Sequence, residues 1–486
     1  MAVQQDQPKA KLSADQLYRA VLSRDRRFDG IFFVGVTSTG IYCRTVCTAK
    51  APQLQNCTFH SSAAAAERAG YRPCLRCRPE LAPGQSKVDA ISRLAASAAS
   101  RIEGGALTEG SVSELASSLA VSDRHLRRVL AQEFGVSPIQ LAQTQRLLLA
   151  KQLLTTSHLS IAEIAFASGF SSVRRLNALF QSRYRLNPSA LRKSKQLSPM
   201  HRDILRCELA YRPPFDWTAL LGFLSGRAIT NIEVIDHDSY QRTVRIGPYQ
   251  GWIKVSLLSS QHKLCVDLSV SLIAAILPIL TRIKALFDLA ADPLPIAQHL
   301  GDLAKTSPGL RVPGAFDGFE VAIRSVLGQQ VSVKSASTLM ARLVQKVGDP
   351  MQTPVAGLTR LTPTPDQIAR LSVDELISLG ILPSRARCVM AIAQAVIHDH
   401  LRLSNHADIN ATVTHLKSLP GIGDWTAQYI AMRVLANPDA FPSGDLTLRK
   451  AAGVQKPAKL LERAEAWRPW RAYAAMHLWK SLENSK

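Results

Sequence analysis

Acidic residues are in short supply in this 486-residue chain: 37 Asp and Glu stand against 59 Lys and Arg, a net charge of +22. Such an excess argues against cationic partners and fits a polyanion, nucleic acid first, because clustered cations gain by displacing counterions from phosphates. Long hydrophobic runs are missing as well. No stretch reaches the roughly 20 apolar residues that span a bilayer. The apolar run Leu268–Leu280 is interrupted by Ser269, Ser271 and Pro278 and reads as a buried helix. The opening residues MAVQQDQPKAKLSADQ have no apolar core of the secretory type, so the cytoplasm is the expected compartment and no membrane partner is expected. Only 8 cysteines are present, too few in such a compartment to imply a disulfide framework. The length exceeds one core; about 150 residues per domain gives three or four domains.

Composition divides the chain at 10–82, 86–195, 205–305 and 306–486. The expected fold class is multidomain: a small α+β domain carrying clustered cysteines, an all-α domain, an α+β domain, and an all-α domain with Gly and Pro punctuation. Alternating stretches at Thr230–Asp236 and Gln241–Ile246 predict strands in the third. Linkers are expected at Ala82-Pro-Gly-Gln-Ser and over Arg192–His201.

Cys43-Arg-Thr-Val-Cys47 and Cys74-Leu-Arg-Cys77 form two pairs, each able to supply one edge of a tetrahedral zinc site. Four free buried cysteines are the plainer alternative. Cys57, between the pairs, has no spaced partner and reads as structural; Cys207, Cys265 and Cys388 read as packing residues. The text DGIFFVGVTSTGIYCRTVC followed by AGYRPCLRCRP resembles the zinc domain of the Ada adaptive-response proteins, over about residues 15–80. That resemblance implies one Zn2+ on Cys43, Cys47, Cys74 and Cys77, with Cys43 irreversibly taking a methyl group from a methylated DNA phosphate. The chemistry is sound from below, since a zinc-bound thiol is deprotonated and a thiolate is the nucleophile. A purely structural zinc is the other reading. Arg44, Arg72, Arg76 and Arg78 make the surroundings basic and are expected to meet the DNA backbone.

SVSELASSLAVSDRHLRRVLAQEFG places Leu115, Leu119, Leu126, Val129 and Phe134 at helical spacing, with a break at Ala120–Ser122 and Arg124, His125 and Arg128 on the open side. A second unit, SIAEIAFASGFSSVRRLNALFQSRYRLNPS, has Ile161, Ile164, Ala165, Phe170, Leu176 and Phe180 as its core and Gly169 as its turn. Ser171, Ser172, Arg174, Arg175 and Asn177 face outward. Any helical hairpin can show this period. The text IAEIAFASGFSSVRRLNALFQ with RLNPSALRK resembles AraC-type activators, which implies two DNA-reading helix-turn-helix units joined by a linker helix, here about Pro138–Leu154. RNA polymerase is a further partner that such an activator implies.

In LKSLPGIGDWTAQYIAMRV, Pro420-Gly-Ile-Gly423 reads as a tight hairpin leading into a helix near Asp424. Glycine lets the backbone approach a phosphate, and the N–H groups at the helix start point at it; Gly421, Gly423 and Thr426 are the expected contacts. FPSGDLTLRKAAG places Asp445 about 20 residues past the hairpin. From about Cys207 onward the chain resembles AlkA-type DNA-3-methyladenine glycosylases, in YRPPFDWTALLGFLSGRA, LRVPGAFDGFEVAIRSVLGQQVSV and AWRPWRAYAAMHLWK. The resemblance implies a small TBP-like α+β domain, a helix-hairpin-helix domain, and hydrolysis of the N-glycosidic bond of alkylated purines. It places the catalytic acid at Asp445 and the base pocket at Phe223, Trp425, Tyr429 and Trp479. It also places the wedge that replaces a flipped base at Gln330, and a monovalent cation on the carbonyls of Lys417, Leu419 and Ile422. Asp424 is a weaker candidate acid, Asp439 reads as surface, and Trp217, Trp467 and Trp470 read as core. Relatives that also cleave the backbone carry Lys where Trp425 stands, so a monofunctional glycosylase is expected.

A fused sensor and repair enzyme is the expectation. Two rivals fit the same residues: an activator whose glycosylase half is only a DNA clamp, and a redox or zinc sensor working through Cys43. No Pro-Cys-His-Arg tetrad occurs, so direct reversal of base damage is not expected.

Overall fold

The computed structural model describes residues 12–83, 93–108, 110–192 and 203–483. Apart from Ala82, Pro83 and Arg192 at their edges, both expected linkers lie outside the described residues. The chain divides into two compact units. One holds Met1–Pro213 with Leu258–Thr281 and Leu289–Ala291; the other holds Pro214–Leu257, Arg282–Asp288 and Asp292–Lys486.

The first unit opens with helix Ala14–Leu22, started by a capping box in which Ser13 and Gln16 satisfy each other's backbone. Four strands follow: β1 (Phe33–Val36), β2 (Ile41–Arg44), β3 (Cys57–His60) and β4 (Arg72–Pro73), in spatial order β3-β1-β2-β4. Strand alternation splits the core. Phe32 and Val34 pack on Leu17, Ala20 and Val21. Phe33 and Tyr42 pack with Ala66 and Tyr71. Gly35 is required because a Cβ there would stand 2.8 Å from the Tyr71 ring.

Helices Val112–Ser118 and Asp123–Phe134 form one hairpin, and Ile161–Ala167 and Val173–Tyr184 form another. Ser111, Ser122, Ser160 and Ser172 cap their starts. The joining helix is Pro138–Thr156, two residues longer than the expected Pro138–Leu154. It is buried on most sides, including polar Thr144, Lys151 and Gln152. Lys151 Nζ reaches Glu80 Oε2 (2.5 Å) and the Cys74 carbonyl (3.3 Å).

Glu67, buried on helix Ala63–Arg68, accepts hydrogen bonds from Tyr42 Oη (3.1 Å), Tyr184 Oη (3.1 Å) and Thr144 Oγ1 (2.7 Å). Burial pushes its carboxyl up to about 7, against the pull of those donors. A raised carboxyl pKa stabilises the fold fully below the unfolded value near 4.5, and that stability is lost as pH rises through about 7. We therefore expect the unit to lose about 3 kcal/mol between about pH 4.5 and 7.5. Glu67→Gln should flatten that slope in calorimetric unfolding; an unchanged slope would refute the assignment.

Five further strands are β5 (Ile204–Ala210), β6 (Glu233–Ile235), β7 (Ser239–Ile246), β8 (Tyr249–Leu258) and β9 (Lys263–Ser269). In the first unit β5 and β9 pair antiparallel. They are held there by Gln152 Nε2 on the Glu208 carbonyl (3.0 Å) and by the Arg78–Glu208 ion pair (3.0 Å). In the second, β6, β7 and β8 form a meander. The stretch expected as one domain, 205–305, is thus shared between units. The run Leu268–Leu280 is not one helix: it ends β9, passes through a 3-10 segment Val270–Ala275, and enters helix Ile276–Leu286. Strand pairing to β5 decides its first two residues.

In the second unit, helix Gly318–Leu327 is buried along most of its length and packs on helices Pro383–Ile397 and Asp424–Arg433. Arg242 on β7 pairs with buried Glu320 on that helix (2.7 Å). Trp217 and Trp470 are core, as expected; Trp467 is only part-buried, against Phe441.

Candidate active site and metal centre

Helix Ile409–Ser418, the turn through Gly421 and helix Asp424–Arg433 build the predicted hairpin. Gly421 has φ +83°, and a Cβ on it would stand 3.3 Å from that of Cys388, so the turn is both left-handed and tight. Gly421 and Gly423 are exposed, as a phosphate contact requires. The Thr426 side chain is buried and its Oγ1 accepts from Gln329 Nε2 (3.0 Å), which leaves its backbone N–H at the helix start as the group that could meet a phosphate. Asp424 pairs with Lys417 (2.5 Å) at the exposed helix start, and no bond to the aromatic cluster is seen for it among the described residues. The Leu419 carbonyl, one of the three expected cation ligands, accepts from Ile422 N (3.3 Å).

Asp445 caps helix Leu446–Ala451, its Oδ1 accepting from Leu448 N (2.9 Å). Trp425 Nε1 donates to Oδ2 (3.0 Å) and Trp479 Nε1 to Oδ1 (3.2 Å). Three N–H groups thereby fix the carboxylate's orientation and leave acceptor capacity on Oδ2. The four expected aromatics come together around it. Trp425 stacks on Tyr429 (5.4 Å, 12°), Tyr429 meets Trp479 edge-on (6.3 Å), and Phe223 lies 6.2 Å from Trp479.

Two arginines of the cluster escaped the sequence reading. The Arg227 guanidinium lies 3.7 Å over the Phe223 ring, and Arg433 lies 5.0 Å from Phe223 and 5.6 Å from Tyr429. Arg433 also donates to Tyr429 Oη (2.7 Å) and to the carbonyls of Pro313 and Gly314. Burial would raise the Tyr429 phenol, but Arg433, Arg227 and Arg324 outweigh it and hold its pKa down. One face of Phe223 is therefore already occupied by a cation, and one face of Trp425 by Tyr429. The signal was available: Arg227 and Arg433 each follow their ring by four residues.

Gln330 is exposed at the apex between helices Gly318–Leu327 and Val333–Val347, with φ +53°. Asp439 is not free surface: it is half-buried and bound to Arg471 (2.8 Å) and Arg468.

In the first unit, parallel pairing of β2 with β4 sets Tyr42 beside Pro73 and so brings Cys43 next to Cys74. Cys74 N donates to the Tyr42 carbonyl (3.0 Å), and Arg44 N reaches Cys77 Sγ (3.4 Å). The Sγ atoms of Cys43, Cys47, Cys74 and Cys77 all lie within 4.8 Å of one another. A tetrahedral ion with bonds of about 2.3 Å needs sulfurs roughly 3.8 Å apart, so the donor set fits Zn2+. About one zinc per chain is expected by elemental analysis. Cys74→Ala with Cys77→Ala should release it, and full retention would rule out the site.

The basic rim is thinner than expected. Arg44 is buried against Asp29 (2.8 Å to Oδ1), and Arg78 is spent on Glu208 and Glu80. Of the four arginines expected here, Arg72 and Arg76 keep accessible charge. Arg124 and Arg128 on Asp123–Phe134, and Arg174, Arg175 and Asn177 on Val173–Tyr184, are exposed, as is Ser171 just before the latter helix; the Ser172 hydroxyl caps that helix by accepting from Arg175 N (3.2 Å). Cys57 packs beside β1, and Cys207, Cys265 and Cys388 are buried.

A hairpin beside a carboxylate held by indoles defines a base-excision class of domain. The family model of the HhH-GPD superfamily base excision DNA repair protein matches residues 323–468, and that of the AlkA N-terminal domain matches 206–317. The metal binding domain of Ada matches 16–80, and a helix-turn-helix domain matches 115–194. Over 484 residues, 97% of each chain, the sequence is 36% identical to the "Probable bifunctional transcriptional activator/DNA repair enzyme AlkA" of Mycobacterium tuberculosis. The chain belongs to this AlkA-type family of bifunctional transcriptional activators and DNA repair enzymes. It is also 34% identical to DNA-3-methyladenine glycosylase 2 of Escherichia coli, over 56% of this chain and 95% of that one. With the bifunctional enzyme Ada of E. coli it shares 37% identity over 26% of this chain and 34% of that one. Among the described residues no helix is long and apolar enough to cross a membrane.

Proposed function

We infer that this chain excises alkylated purines from DNA and regulates transcription in response to the same damage. The observation that carries the first part is the Asp445 carboxylate, held by Trp425 and Trp479 inside the aromatic cluster. An alkylated purine is positively charged and already a good leaving group. The protein has to extrude the nucleotide, hold the base against Trp425, and stabilise positive charge developing on the sugar. Asp445 Oδ2, with acceptor capacity to spare, supplies that charge or orients the attacking water. With Trp425 where a Schiff-base lysine would stand, the product is an abasic site with its backbone intact. The test is duplex DNA carrying N3-methyladenine: free base should appear, and strand breaks only after alkali. No free base would refute the reading.

The four-cysteine centre supports a second activity. The Cys43 sulfur attacks the methyl carbon of a methylphosphotriester; the C–O bond breaks, its electron pair stays on the phosphate oxygen, and a diester and a thioether result. A zinc ion on Cys43, Cys47, Cys74 and Cys77 would supply the deprotonated sulfur. Arg124, Arg128, Ser171, Arg174, Arg175 and Asn177 would read promoter DNA, from which the bound protein would contact RNA polymerase. A monovalent cation on the hairpin carbonyls of Lys417, Leu419 and Ile422 belongs to the same proposal.

A further inference from the structure

The apex and the hairpin are far apart in sequence but are tied by one side chain that neither motif predicted. Gln329 Nε2 donates to the Gly421 carbonyl (2.9 Å), at the left-handed residue of the hairpin, and to Thr426 Oγ1 (3.0 Å), in the first turn of the following helix. Both amide hydrogens are thereby used. The next residues are the exposed apex: Gln330 in the left-handed region, then Val331 at 38% exposure, with Val333 at 44%. Exposed β-branched side chains beside a strained residue gain nothing from water, and they gain contact if they enter a base stack.

We propose that Gln329 is a positioning residue, yoking the Gln330–Val331 apex to the phosphate-binding hairpin so that gripping the backbone sets the depth at which the apex enters the duplex. The inference rests on the glycosylase reading above. A rigid hairpin placed on a phosphate is useful for extrusion only if the wedge is held at fixed height from it, and a misplacement of about 1 Å can cost roughly 100-fold in rate. Gln329 provides that link with two bonds from a single planar group. In this arrangement Val331 fills the vacated space while the Gln330 amide is free to pair with the orphaned base.

The experiment uses the full chain. Gln329→Met keeps size and removes both donors; the Gly421 carbonyl, on an exposed turn, is then left to water. Excision of N3-methyladenine from duplex DNA is measured beside the fluorescence of 2-aminopurine placed next to the lesion, which rises when the stack opens. Affinity for undamaged duplex is measured in parallel as a report on the hairpin's grip. The expected result is an excision rate lower by about tenfold with a diminished 2-aminopurine rise, at an undamaged-duplex affinity within about twofold of the parent. Thr426→Val, which removes one acceptor, should give a smaller loss of the same kind, and it decides the matter if Gln329→Met unfolds. Parental excision and fluorescence in the variant would overturn the inference. So would an equal loss of affinity for undamaged duplex, because that is what damage to the hairpin itself would produce. If the parent protein releases no base, it is the glycosylase reading that fails.

Discussion

Asp445→Asn should lower N3-methyladenine release by roughly 100- to 1000-fold, about 3–4 kcal/mol of barrier, because it removes the charge that faces the sugar cation. The geometry indicates what else changes. Asn Oδ1 can keep the cap on Leu448 N and the bond from Trp479, since Asn is as good an N-cap as Asp. Its amide nitrogen then faces Trp425 Nε1, donor against donor, where Oδ2 had accepted at 3.0 Å. A loss of about 1–2 kcal/mol in stability is expected from that mismatch, visible as a lower unfolding temperature. Affinity for undamaged duplex should be nearly parental, since the exposed hairpin is untouched. Single-turnover release at the parental rate would move the acid elsewhere and dissolve this site.

Methylation of Cys43 should tighten binding to a preferred promoter by about tenfold. Four thiolates on one zinc carry a formal charge of roughly −2, and a thioether removes about one unit of it. With an effective dielectric near 20, one charge about 10 Å from a phosphate is worth about 1–2 kcal/mol before screening, and about 1.4 kcal/mol is tenfold. The structure sharpens this expectation. Arg44 is paired with buried Asp29, and Arg78 shares Glu80 and Glu208 with Lys151 and Lys263, so these two arginines are less free to offset the thiolates than the sequence implied. The full chain is the right material, because β5 and β9 pack with the first unit and a truncation near Lys195 would remove them. Protein treated with methylphosphotriester DNA and verified by mass as singly methylated is compared with untreated protein on promoter and scrambled duplexes over a range of salt. Equal promoter affinity at every salt concentration would leave the zinc centre a repair or structural element without a switch.

The amino-acid sequence by itself determined the elements whose meaning lies in short-range spacing. Asp445 and its four aromatics followed only from the resemblance to AlkA-type glycosylases; CxxxC and CxxC, the Pro-Gly-Ile-Gly hairpin and the serine-capped helix pairs sit where spacing and turn chemistry put them. A few residues of backbone geometry are enough to specify each. The tertiary structure decided what each charged or polar group is free to do. Arg44 finds Asp29 across 15 residues, Arg78 finds Glu208 across 130, and Gln329 finds Gly421 across 92. The same holds for Thr426, whose hydroxyl turns inward to Gln329, and for Arg433, which reaches the distant Phe223 ring at 5.0 Å. The physical reason is that a buried or half-buried polar group must be satisfied by some partner, and chain folding, not local spacing, brings that partner within reach.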